Sequence, residues 1–574
     1  MKADDTREPV FNAAESKTPR MCGNSLHGNR ESPRVSSPEG GEERSGKAAG
    51  RTPDMHAGGQ SDDSIVPEKR ANNASGSARS GYCGTRRRKG EPTENTNTDL
   101  NQPTRAAEPV EGRGSIEGNA EEEATRRTQC RESGSTGLDR IREVAERDKK
   151  VRFTSLLHHV DVGLLRLGFH KLKREASPGV DGVTWHAYAE GLEDRLVDLH
   201  ERLHRGAYRA QPSKRAWAQK PDGRQRPLGI AALEDKIVQR ALCLVLEQIY
   251  EEDFLGFSYG FRPGRSCHNA LDALYVGTVK RKVNYVLDAD IRGFFDTIDH
   301  EWMMRFLEHR IADPRILRLI RKWLRAGVSE EGQWSRTTVG TPQGSVISPM
   351  LANVFLHYVF DLWADHWRKH RATGDVIIVR YADDFVVGFQ HRGEAERFLS
   401  ELRERLAKFR LELHPEKTRL IEFGRYAIER RQQRGEGRPE TFDFLGFTHI
   451  CAKSKRGWFE LRRQSIAKRM RAKLQEVKKE LRHRMHHEPS GVGRWLRWVV
   501  QGWYNYHAVP GNQDRLNAFR DRVTRYWLHA IRRRSQRGRK GWTWERFRRR
   551  LVRRWIPSVR IVHPYPTQRL IVTT

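Results

Sequence analysis

Residues 376–389 read VIIVRYADDFVVGF, two adjacent acids between two apolar runs. Each run is four to five residues long and mostly β-branched or aromatic, so the segment predicts strand, tight turn, strand. No other stretch restricts the fold as much. Period-two alternation decides which side chains share a face, and the turn holds Asp383 and Asp384 at the tip. Two readings of that tip are open. Asp is a common turn residue, and a solvated tip needs no further cause. The other reading is that the turn pins two carboxylates where hard divalent cations must sit.

A second acid-bearing strand favours the cation reading. In VNYVLDADIRGFFD the strand Val283–Ile291 puts Asp288 and Asp290 on one face, 93 residues before Asp383. One acid from this strand and two from the hairpin tip make three carboxylates. Polymerase chemistry needs such a set, because two Mg²⁺ ions about 3.5–4 Å apart must align a primer hydroxyl with a triphosphate. Asp296 and Asp299 are expected to cap and open the next helix.

Charge is distributed unevenly. Residues 1–140 hold 22 Lys/Arg and 23 Asp/Glu, with Phe11 and Tyr82 as their only aromatics. Such a segment buries too little apolar surface to offset its ordering entropy and reads as a disordered leader. Residues 451–574 hold 33 Lys/Arg against 7 Asp/Glu, a net of +26, with 15 aromatics. That footprint points to a polyanion. The six cysteines form no C-x-x-C pair, which leaves neither zinc nor disulfide framework indicated and a reducing cytosol as the default. No run of 18 apolar residues and no signal-peptide core exist, so no membrane association is expected. Strands and helices mix without βαβα alternation, which gives an α+β class. Beyond Leu461 the pattern reads as nearly all helix.

Eight ordered blocks now stand between residues 176 and 448: ASPGVDG, KPDGRQRPLGI, SYGFRPGRSCHNAL, DADIRGFFDTIDH, GTPQGSVISPMLANVFLH, YADD, HPEKTRL and DFLGFTH. The series resembles the group II intron-encoded reverse transcriptases, or maturases. The resemblance implies a right-hand polymerase fold: a helical N-terminal extension (141–210), fingers and palm (211–450), an all-α thumb and maturase domain X (451–560), and a tail (561–574). It implies Asp290, Asp383 and Asp384 as catalytic acids holding two Mg²⁺ ions with Ile291, while Asp288 is flanking. Lys220, Arg226 and Gln343 match residues around the incoming dNTP. Phe295 matches the gate beneath the sugar, with an ordinary core Phe as its alternative. Lys417 matches the lysine that protonates pyrophosphate, with a surface ion pair as its alternative. Phe444, Leu445 and Gly446 resemble the primer grip.

The tail, with QGWYNYHAV and an Arg-rich final helix, resembles domain X. Arg532, Arg533, Arg534 and Arg537 are its expected contacts to structured intron RNA, while most of its Trp should be core. The function implied is copying of intron RNA into DNA from a DNA primer at its target, together with splicing and mobility, in a bacterial cytosol beside the nucleoid. The alternatives are another bacterial reverse transcriptase, of the retron or diversity-generating kind, or a maturase acting only as a splicing factor. No Cys/His cluster follows Trp555, so the family's optional endonuclease, and with it second-strand nicking, is not expected.

Overall fold

In the computed structural model the described residues are 137–219, 225–330, 333–335, 339–341, 343–454 and 456–566. The leader expected over 1–140 therefore lies outside them, apart from the start of a helix running 137–147. Helices α1 (Val162–His170) and α2 (Leu192–His204) follow, then the antiparallel pair β1 (Ser213–Gln219) and β2 (Gln225–Ile230). The next helix, α3 (Leu233–Asp253), is buried nearly all round. The ASPGVDG block serves as its seat. A Cβ on Gly179 would lie 2.5 Å from the Ala232 Cα, so only glycine lets that loop dock.

Helix α4 (Cys267–Lys280) leads into β3 (Tyr285–Asp290) and the short helix α5 (Phe294–Thr297). Asp299 caps the helix after that, accepting from the amides of Glu301 and Trp302, whereas Asp296 sits inside α5. Strands β4 (Val328–Glu330) and β5 (Gln333–Ser335) extend the β1–β2 sheet. Helices α6 (Ser348–Leu356) and α7 (Leu362–His370) are joined by a π-helical turn over His357–Asp361. The central sheet then closes with β6 (Val376–Tyr381), β7 (Asp384–Phe389) and β8 (Arg419–Glu422) in the order β6-β7-β3-β8. Between β7 and β8 lies α8 (Arg392–Lys408).

Alternation along these strands builds two cores. Leu287, Phe385, Val387 and Phe389 face one side, where Phe360, Trp367 and Phe398 from α7, α8 and the π turn cover them. Val286, Val379 and Val386 face the other, against Ala270, Leu271 and Leu274 of α4. Asp288, Asp290 and Asp384 share the parity of this second face.

After α9 (Ala427–Gln433) comes a third sheet, β9 (Phe442–Phe444), β10 (Phe447–Lys453) and β11 (Phe459–Ser465). Two expectations change here. A domain cut at 450 would fall inside β10, and the residues after Leu461 begin as strand. Leu461, Arg463 and Ser465 alternate inward with period two, which suits a strand, and the helical tail starts only at Ala467. From there α10 (Ala467–His483), α11 (Pro489–His507) and α12 (Gln513–Arg532) pack through Met470, Leu474, Val477, Leu496, Val500, Phe519, Val523 and Trp527. Trp503 and Trp527 are buried as expected of core residues, but Trp498 and Trp458 stand in solvent.

The most deeply buried ion pair among the described residues joins Arg380 of β6 to Asp361 of the π turn, both 0 % exposed, at 2.5 Å. The remaining guanidinium donors reach Ser258 Oγ (2.6 Å), Asn353 Oδ1 (3.1 Å) and the Ala382 carbonyl (2.9 Å). Removing one partner leaves an uncompensated interior charge. Asp361→Asn should therefore cost roughly 3–5 kcal/mol of unfolding free energy, measured by urea denaturation. Replacing both residues, Arg380→Met with Asp361→Leu, should recover much of that loss.

Candidate active site

Strand β3 ends at Asp290 and β7 begins at Asp384, and the antiparallel register sets the two directly opposite each other. Only Ala382 and Asp383 join β6 to β7, because Tyr381 pairs with Asp384. Ala382 has φ 56°, the left-handed conformation that a two-residue hairpin loop requires at its first position and glycine ordinarily supplies. Neighbours hold this strain. The Arg380 guanidinium donates to the Ala382 carbonyl, and Gly260 presses so close that a Cβ on it would lie 2.3 Å from the Ala382 nitrogen. The segment before Gly260 adds to the edge of β6: the Arg380 amide donates to the Phe257 carbonyl and the Tyr259 amide to the Arg380 carbonyl. Asp383 thus has one place, beside the Asp290–Asp384 pair.

The three acids repel one another. Burial first, then the charges of Asp383 and Asp290, push the Asp384 carboxyl up to about 7. The residue is nevertheless exposed at the mouth of the cleft, and water there moderates the burial part of that push. Asp383 is raised too, by burial and then by Asp290, against an opposing backbone hydrogen bond. Asp288 is pushed up to about 6 by burial, with Arg419 opposing from 3.4 Å across the ladder, which suits its flanking role. Lys417 forms an ion pair with the Asp290 carboxylate. Its loop is fastened to the strand end, where the His414 amide donates to the Asp290 carbonyl (2.8 Å) and Ile291 bridges Leu413.

Among the described residues no group of three or more His, Cys, Asp or Glu converges on a point that could hold a metal ion. Asp290 faces an ammonium instead. The donor set still suits a hard cation, since it is all oxygen, acidic and crowded enough to gain from a positive charge.

The side expected to meet the nucleotide is assembled from strand β2, the loop holding Gly340 and Gln343, and helix α5. Arg226 on β2 donates to Gln343 Oε1, and the Gly229 amide donates to the Gln343 carbonyl at 2.7 Å. A Cβ on Gly340 would fall 2.8 Å from the Asp296 carbonyl, so this loop lies flat on α5, with the Thr341 amide donating to the Phe295 carbonyl. Phe295 is 9 % exposed and packs edge-on against Phe294, next to the strand that ends at Asp290. It is a core residue by burial and a neighbour of the site by position. Lys220 lies outside the described residues.

The expected grip is a hairpin tip. Phe444 pairs with Phe447, and Leu445 and Gly446 between them both take positive φ (46° and 84°), the conformation of a tight two-residue turn. Tyr506 of α11 donates its hydroxyl to the Leu445 carbonyl at 2.7 Å, which fastens the tip to the helical tail. Tyr506 lies in the QGWYNYHAV block, but nothing in that block pointed to the Leu445 carbonyl. For Arg380 a signal did exist, a charge in the middle of an apolar strand.

The Arg-rich stretch is not one exposed block. Arg532 donates to the Trp542 carbonyl (2.9 Å) and Arg534 to that of Met485, both half-buried, while Arg533 is exposed. The side chain of Arg537 lies outside the described residues. Two of the four guanidinium groups therefore hold their own domain together.

Comparison with known proteins agrees with this geometry. Residues 218–449 match the family model described as reverse transcriptase (RNA-dependent DNA polymerase). The chain is 33 % identical to Protein YkfC of Escherichia coli over 299 residues, 46 % of this chain and 78 % of that protein. It is 41 % identical to group II intron-encoded protein LtrA of Lactococcus lactis over 174 residues, 29 % of this chain and 28 % of that one. With nuclear intron maturase 2 of Arabidopsis thaliana it shares 33 % identity over 97 residues, 16 % and 12 % of the two chains. The chain belongs to the group II intron reverse transcriptases and maturases. Members of this family are RNA-directed DNA polymerases that generally use divalent metal ions. Among the described residues, no helix of this reverse transcriptase is long and apolar enough to cross a membrane.

The raised carboxyls give a sign for pH dependence. Raised toward about 7, the Asp384 carboxyl of the folded chain holds its proton to higher pH than an unfolded carboxyl, which releases it near about pH 4. The folded state therefore binds more protons in that window, and stability falls as pH rises through it. Without divalent cation, the thermal midpoint should drop from about pH 5 to about pH 7. Mg²⁺ should raise it more above that window than below, because the cation needs the ionised form. Asp384→Asn should flatten both trends in differential scanning fluorimetry.

Proposed function

We propose that this reverse transcriptase copies its own group II intron RNA into DNA at the Asp290, Asp383 and Asp384 end of the central sheet, using a DNA primer, dNTPs and two Mg²⁺ ions. The observation that carries the assignment is the register that sets Asp290 opposite Asp384 with Asp383 at the adjoining turn. When bound, two Mg²⁺ ions supply alignment and charge neutralisation for the primer hydroxyl and the triphosphate, with the three carboxylates and the Ile291 backbone as their holders. Lys220, Arg226 and Gln343 bind the nucleotide, Arg226 through its planar fork of donors. Phe295 excludes a 2′-hydroxyl. Lys417 carries a proton at Nζ and hands it to the departing pyrophosphate, a role consistent with its resting place on Asp290. The Phe444–Gly446 turn orients the primer end.

The helical tail holds intron RNA for splicing and mobility, with Arg533 and Arg537 as its RNA contacts, while Arg532 and Arg534 hold the domain's own carbonyls. The domain plan behind this reading is an N-terminal extension, then fingers and palm, with the thumb opening after β11. The site of action is the cytosol, at nucleoid DNA.

Asp383→Asn should lower Mg²⁺-dependent extension of a DNA primer on RNA by about 10²–10³-fold, the scale on which loss of one charge-stabilising group acts. Extension at the unmutated rate would end the assignment. Phe295→Ala should admit rNTPs into the product, and Phe295→Leu, which keeps more of the buried volume, should do so less. If both variants fold and still reject rNTPs, Phe295 is only a core residue.

A further inference from the structure

The far end of the central sheet carries a second cleft. It lies where β3 starts, at Tyr285, five residues from Asp290 and therefore roughly 17 Å away at the rise of a strand. The cavity has a volume of about 580 Å³, the size of a site for one nucleotide-scale ligand. Its walls include Lys282, Arg392, Arg425, Arg430, Arg434 and Tyr426, with Glu422 as the one acid.

Much of this charge is not neutralised. Arg392 is held by Glu396 at 2.8 Å, and Arg434 is shared by Glu422 and Glu436. Arg425 donates to the Val279 carbonyl (2.9 Å), and Arg430 lies over the Tyr426 ring at 5.6 Å. Among the described residues, Lys282, Arg425 and Arg430 have no carboxylate partner within ion-pair distance. Asn284 also lines the cavity. It is 9 % exposed, its Nδ2 donates to the Gln390 carbonyl, and its Oδ1 has no partner.

Planar faces stand beside the charge. Tyr426 is 44 % exposed at the rim. The hairpin between β10 and β11 presents Trp458, 74 % exposed, and Lys453 of that hairpin pairs with Glu429 at 3.2 Å. Glu429 and Arg430 are consecutive residues of α9, so one short helix separates the tryptophan from the cavity.

We propose that this cleft binds an unpaired stretch of RNA, with one nucleotide's phosphate on Lys282, Arg425 and Arg430 and bases stacked on Tyr426 and Trp458. Free cations with exposed aromatic faces are what single strands use for affinity without a groove to read. The inference rests on the polymerase reading only in taking the chain to handle RNA, and it concerns a surface apart from the catalytic acids.

The test uses full-length protein whose main cleft is first filled with an RNA-template/DNA-primer duplex. A short, unstructured, fluorescein-labelled RNA is then titrated in and its anisotropy followed at several salt concentrations. The double variant Lys282→Glu/Arg430→Glu should weaken binding at least about tenfold and lower the salt slope by about 0.7, as one phosphate contact is lost. Tyr426→Ala with Trp458→Ala should weaken it with the slope unchanged. Primer extension on the same samples should not move, so a failure of the polymerase reading is scored separately. RNA affinity equal to the unmutated protein's in both variants would overturn the proposal. So would parallel loss of extension, which would make the cleft part of the main template path. AMP or inorganic phosphate binding as tightly as the RNA would overturn it in favour of a small-anion site.

Discussion

A charge buried without water has one stable solution, a partner of opposite sign in fixed geometry, and Arg380 with Asp361 is that solution here. The π turn at His357–Asp361 delivers the aspartate. The guanidinium then has donors left for Ser258, Asn353 and the Ala382 carbonyl. One side chain thereby ties together the edge segment, a buried helix and the strained hairpin turn. The position of Asp383 follows from those bonds, since a left-handed alanine has little reason to persist unsupported. The interior ion pair positions the hairpin, and the acids next to it can remain reactive.

Electrostatics organise the rest of the molecule at two scales. Over the whole chain the surplus is +32, which suits a polyanionic partner. At the site the sign is reversed, because Asp290, Asp383 and Asp384 crowd one end of a sheet, where burial and neighbouring charge raise the affinity of Asp383 and Asp384 for protons. Lys417 relieves part of that repulsion. A cation bound there would do so more fully, and the site is therefore poised to take one. The helical tail is coupled to this region through Tyr506, which bonds the Leu445 carbonyl, and through His268, whose ring bonds the Tyr506 carbonyl at 2.8 Å.

Much of this was legible in the sequence where local rules act alone. The hairpin at 376–389, the strand that carries Asp288 and Asp290, and the Asp299 cap all depend on period, turn chemistry or capping, and short segments carry those signals. One expectation differs for a definable reason. The sequence reads as helix beyond Leu461, but Phe459–Ser465 is a strand whose arginines obscure a period-two pattern of inward residues. Near 532, helical geometry turns Arg532 and Arg534 toward carbonyls of their own domain. Composition reports charge but not the direction in which a side chain points.

By itself the sequence determined the α+β class, the parity that puts Asp288 and Asp290 on one face, and the two-residue turn that displays Asp383. Each is set by alternation or turn geometry within a dozen residues. Only the tertiary structure decided that Asp290 stands opposite Asp384, that Lys417 rests on Asp290, that Gly260 presses on Ala382, and that Lys282 shares a cavity with Arg430. These pairs are separated by about a hundred residues or more, and sequence pattern carries no information about register between distant strands. Burial supplies it, because a slip of one residue would turn every apolar side chain of the strand into water.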